Sequence, residues 1–112
     1  MRVEERELVI ARSGGLCEIC GKFRATEIHH RKHKSQGGSD RPENLLHVCG
    51  WGNHTGCHGL AHTDEDRYKF GWAIRSGVQR PAEVEVLYRG QVKLLDQVGR
   101  VLDQLPPLFE VV

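Results

Sequence analysis

The chain has 112 residues, a formal net charge of +1 and four cysteines. That length is one domain's worth, with an apolar core thin enough for a metal staple to matter. The near-neutral balance excludes a polycation that holds nucleic acid by bulk charge, and no apolar run reaches the length of a bilayer span. The opening "MRVEERELVI" is amphipathic and charged rather than built around the apolar centre of a signal peptide, so the expected compartment is a reducing cytoplasm.

In chain order, Val3, Leu8, Val9 and Ile10 set among charged residues predict a helix over 3–12, ended by Ser13, Gly14 and Gly15. "CEIC" follows. "ATEIHH" predicts a strand, "SQGGSDRPEN" a loop and "NLLHVC" a second strand. After the glycine-rich "GWGNHTG" comes "CHGLAH", a predicted helical turn, and Thr63 with Asp66 forms a capping-box pattern ahead of "RYKF". The order is strand, loop, strand, helix, which brings strand ends and helix around one point. Further on, "VEVLY" and "QVKLL" alternate about Arg89-Gly90 and predict a hairpin. Leu87, Leu94, Val98, Val101 and Leu105 also fall near helical spacing, at the cost of Gly90 and Gly99, and the strand reading is preferred. Pro106-Pro107 stops any helix in the tail, which is expected to pack back or meet a partner.

The chemistry is concentrated. All four cysteines and all seven histidines lie between Cys17 and His62. A Cys-x-x-Cys pair at 17 and 20 with a second pair at 49 and 57 predicts a tetrahedral, all-thiolate structural zinc site. Seven residues separate Cys49 from Cys57, a loose spacing that leaves His54 as an alternative ligand. His58 and His62 stand four apart, so on a helix they share a face and can grip one divalent ion. His29 offers a third imidazole from the strand, which predicts a second, open metal site. His29 and His30, as strand neighbours, point to opposite faces and must hold different jobs.

The charge is uneven too. Residues 22–34 carry Lys22, Arg24, Arg31, Lys32 and Lys34 against Glu27 alone, whereas residues 63–112 are close to balanced. Arg31, Lys32 and Lys34, extended by Arg24 and Arg41, are the predicted phosphate contacts of a DNA-binding face. His33 and His47 are read as bystanders, and Trp51 is open between stacking on a base and covering the zinc.

Together "CEIC", "EIHH", "GGSDRPENLL" and "CHGLAH" resemble an HNH endonuclease of the ββα-metal superfamily, in the cysteine-containing, zinc-bound form of phage proteins. The resemblance spans roughly residues 8–76. It implies an α+β fold, a small zinc-stapled ββα-metal domain with an N-terminal helix, in which residues 1–76 are the nuclease domain (core 17–70) and 77–112 an extension packed on it. It implies hydrolysis of double-stranded DNA with His30 as general base and Asn44 as the residue that ties the loop. His29, His58 and His62 would hold a catalytic Mg²⁺, Mn²⁺, Ni²⁺ or Zn²⁺, and the products would carry 5′-phosphate and 3′-hydroxyl ends. His62 is open, since some members use two protein ligands. A terminase or other phage DNA-packaging protein is the partner implied. The competing reading is a non-catalytic zinc-ribbon module for DNA binding or assembly, against which stand His29, His30 and His58, none of which a zinc clamp needs.

Overall fold

A computed structural model describes residues 2–52, 55–77 and 80–103; His54 and the tail 105–112, each the object of an expectation above, lie outside the described residues. Helix α1 (Val3–Ser13) forms as expected: Glu4 and Glu5 occupy its first turn and Arg12 its last, the order the helix dipole favours. It ends where the Gly14 N–H donates back to the Ile10 carbonyl. Its inward face is narrow, with Val9 and Ser13 buried. Arg12 does the anchoring, because its guanidinium donates to the Glu18 carboxylate at 2.7 and 2.9 Å and to the carbonyls of Pro42 and Leu45. Glu18, fully buried, also accepts from the Tyr88 hydroxyl and the His47 N–H, so a buried charge here has a partner for each oxygen.

Strands β1 (Glu27–His30) and β2 (Leu45–Val48) pair antiparallel, with Glu27 opposite Val48 and His30 opposite Leu45. Both are shorter than the sequence suggests. Between them residues 31–44 form a long connection carrying short 3-10 turns at Lys34–Gln36 and Pro42–Asn44. Helix α2 (Gly56–Thr63) follows, completing the strand, strand, helix unit. The capping box at Thr63 and Asp66 does not form. Thr63 is the last residue of α2, its hydroxyl donates back to the Gly59 carbonyl, and Asp64 is extended, so residues 64–71 run as turns.

The C-terminal part is a three-stranded antiparallel sheet in the order β3 (Val86–Tyr88), β4 (Gln91–Leu95), β5 (Val101–Leu102). The hairpin reading of this segment is correct. Arg89 and Gly90 both have positive φ, 50° and 82°, the signature of the two-residue turn whose twist suits a hairpin. One apolar cluster joins the sheet to the rest: Leu46 and Val48 of β2 meet Trp72, Val86, Tyr88 and Leu95, with the cysteines among them. Each fully buried aliphatic side chain there contributes about 1.5–3 kcal/mol. Among the described residues, no helix is long and apolar enough to cross a membrane.

Candidate metal centres and active site

The four cysteines converge. Their sulfurs all lie within 4.8 Å of one another, and Cys20 Sγ is 4.0 Å from Cys49 Sγ. A tetrahedral zinc site with Zn–S near 2.3 Å spaces its sulfurs by about 3.8 Å, so the donor set fits the ion in both chemistry and size. The first pair sits in a tight knuckle, closed by the bond from Gly21 N–H to the Cys17 carbonyl, with the Lys22 N–H directed at Cys20 Sγ at 3.4 Å. Burial raises the Cys20 thiol, but hydrogen bonds from the Lys22 and Phe23 backbone and from neighbouring thiols outweigh it and bring it to about 7. Burial raises Cys49 and Cys57.

The loose spacing of the second pair has a steric explanation. Gly50 lies so close to the start of α2 that a Cβ there would stand 2.1 Å from the Thr55 carbonyl oxygen. This close approach pinches the loop shut and returns the chain to Cys57 beside Cys49.

The histidines form a second cluster. His29, His58 and His62 each place a ring nitrogen within 4.8 Å of the others, with ring centroids 4.9–5.2 Å apart. Two of them have the outward nitrogen occupied. His29 Nε2 donates to the Trp72 carbonyl at 2.7 Å, which leaves Nδ1 as its lone-pair nitrogen. His58 Nδ1 bonds Glu27 Oε1 at 2.9 Å, and its Nε2 faces His62 Nε2 at 3.3 Å. The carbonyl behind His29 and the carboxylate behind His58 make the arrangement that fixes the tautomer of a metal ligand. His29 is 2% exposed, and burial lowers its pKa to about 3, so it is neutral and unprotonated on one nitrogen throughout the physiological range. Burial lowers His62 as well. The donor set fits a divalent cation with an open position.

His30 stands on the other side of β1. Its Nε2 is 2.7 Å from Asp40 Oδ1, and Asp40 Oδ2 pairs with Lys34 Nζ at 3.1 Å. The hydrogen bond from His30 and then the nearby Lys34 hold the Asp40 carboxyl down at about 2. Asn44, fully buried, sets this loop: its Oδ1 accepts from the Lys32 N–H at 2.8 Å, and its Nδ2 donates to the carbonyls of Lys32 and Ser39. The amide thus spans both arms of the connection and fixes the residue next to Asp40.

Of the cations expected on a DNA face, Arg31 is not there. It is 0% exposed, and its guanidinium donates to the carbonyls of Gly71, Glu43, Pro81 and Val84 at 2.7–3.0 Å. Burial lowers it to about 9, still protonated at neutral pH. Strand alternation turns this side chain inward from the end of β1, which a charge count does not register. Lys32 is half-buried, Lys34 is exposed, and exposed Arg41 reaches Gln97 at 3.1 Å.

Three participants escaped the sequence reading. Glu27 had a signal, since it lies two residues before His29 on the same face of β1. Asp40 had none, because only the folded loop returns it to His30. His33, read as a bystander, has its ring centroid 5.4 Å from that of His62. Trp51 is 72% exposed, so it does not cover the cysteines. His47 is a bystander to both clusters and bonds Ser13 Oγ through Nδ1.

Residues 17–64 match the family model described as HNH endonuclease. Comparison with curated proteins and with solved structures returns no match.

Proposed function

We propose that the chain, whose residues 17–64 match the HNH endonuclease family model, hydrolyses phosphodiester bonds of double-stranded DNA, with His30 as general base. One observation carries the reading: His29, His58 and His62 cluster around one point, the first two with a partner that fixes the tautomer, while a fourth imidazole, His30, is held by a carboxylate on the other side of β1. A structural zinc module has no use for either arrangement.

His30 Nε2–H donates to Asp40, so Nδ1 is left to take a proton from the attacking water. Asp40 holds the ring in that tautomer and favours the imidazolium that forms. Asn44 keeps Asp40 in place through Ser39. His29, His58 and His62 would hold a divalent cation, which when bound would supply Lewis-acid stabilisation of the charge that develops at the scissile phosphate. All three donors are nitrogen, a set that suits Zn²⁺ or Ni²⁺ better than Mg²⁺, which prefers oxygen ligands. Water, losing a proton to His30, adds at phosphorus, the bond to the 3′ oxygen breaks, that oxygen takes a proton from solvent, and the ends left are 5′-phosphate and 3′-hydroxyl. Lys32, Lys34 and Arg41 remain as phosphate contacts in this reading.

The test is a supercoiled-plasmid assay on zinc-loaded protein with added Zn²⁺, Ni²⁺, Mn²⁺ or Mg²⁺, run beside His30→Ala. Metal-dependent nicking or linearisation that falls by about 10²- to 10⁴-fold in the variant is the expected result. Plasmid bound but uncut with every metal would hand the reading to a non-catalytic DNA-binding module.

A further inference from the structure

The two cysteine loops each end in an aromatic side chain that the fold leaves uncovered. Phe23, three residues after Cys20, is 65% exposed, and Trp51, two residues after Cys49, is 72% exposed. They belong to one end of the molecule. Cys20 Sγ and Cys49 Sγ are 4.0 Å apart, the Thr26 hydroxyl donates to the Gly50 carbonyl at 2.7 Å, and the Gly52 N–H donates to Glu27. The Trp51 backbone N–H is held in turn by Thr55 Oγ1 at 2.8 Å. Lys22 and Arg24 flank Phe23, and both are exposed.

This end is tied to the histidine cluster through one atom. Glu27 Oε1 accepts from the Gly52 N–H, beside Trp51, and from His58 Nδ1. An exposed aromatic pair with cations alongside, fastened to the group that orients a metal ligand, has the composition of a surface that takes nucleic acid by stacking and charge. A protein partner of apolar character would not call for the two exposed cations that flank Phe23. We propose that Phe23 and Trp51 form a stacking platform for unpaired nucleobases of the strand that runs past the cleavage site, with Lys22 and Arg24 on its phosphates. The assignment rests on the nuclease reading for its location, and on exposed residues alone for its chemistry.

Stacking prefers single-stranded or splayed DNA, since a paired base keeps its faces covered. The probe is therefore a labelled oligothymidylate beside a duplex of equal length, titrated into the zinc-loaded full chain without further metal. Trp72, the second of two tryptophans, is 7% exposed, so quenching of the red-shifted emission reports on Trp51. We expect the single strand to quench that emission, Trp51→Ala and Phe23→Ala each to weaken its binding by roughly 5- to 150-fold, and Trp51→Phe to keep most of it. Because both rings are exposed, melting temperatures of these variants should match wild type.

The platform is overturned if single-strand affinity is unchanged in Trp51→Ala and Phe23→Ala. It is equally overturned if only Lys22→Ala and Arg24→Ala weaken binding, or if Trp51→Ala instead dissociates a dimer of the chain. Unchanged stacking variants in an enzyme that still cuts plasmid would remove the platform and leave the nuclease. Binding of the labelled single strand weakened in both Trp51→Ala and Phe23→Ala, with no cleavage under any metal, would do the reverse.

Discussion

Among single residues, His29, His30 and His58 each have a partner that dictates which nitrogen they present. Glu27 does this for His58, and the hydrogen bond from His58, then that from Gly52, lowers its carboxyl below the usual range. Glu27→Ala leaves the ligands in place but lets His58 turn, so affinity for Zn²⁺ or Ni²⁺ at the histidine cluster should drop by about 10- to 100-fold while the cysteine site stays loaded. Isothermal titration after mild chelation measures it, and an unchanged affinity would mean that the ring is held by packing alone. His29, His58 and Asn44 were legible because the strand, the helix and the loop that carry them are local patterns. Asp40 was not: ten residues separate it from His30 in sequence, and contacts formed only in the folded loop, the Asn44 bridge among them, bring it back.

Two arginines with buried side chains join the elements alongside the apolar cluster. Arg12 fastens α1 to the knuckle and to β2, and Arg31 fastens the end of β1 to Gly71, Pro81 and Val84 beyond α2. Arg31→Met strands several buried carbonyls, so it should cost about 3 kcal/mol or more in chemical denaturation. Arg31→Lys should recover little, since one ammonium cannot reach four carbonyls spread around a planar fork. DNA affinity per folded molecule should not change, and a loss of affinity at full stability would restore Arg31 to the DNA face. The β3–β4 hairpin was legible from its turn dipeptide, whereas the inward course of Arg31 needed the second layer that it binds. The capping box failed for a related reason: Thr63 found a nearer acceptor in the turn behind it.

For the whole molecule, the proposed function divides the chemistry between two candidate metal centres: the thiolates would hold the fold and the histidines would serve cleavage. The cysteines lie inside the apolar cluster that joins β2 to the C-terminal sheet, so loss of their ion removes the centre of the core. Cys17→Ser should therefore unfold the chain rather than merely inactivate it, seen as lost helical circular dichroism, and a folded, inactive variant would contradict that role. The most direct test of the division is a calorimetric titration of protein whose cysteine site is loaded and whose histidine site has been stripped by mild chelation. The account predicts one further Zn²⁺ or Ni²⁺ per chain, with binding kept in His30→Ala and abolished in His58→Ala. No second ion, or one that binds His58→Ala as tightly as wild type, would contradict it.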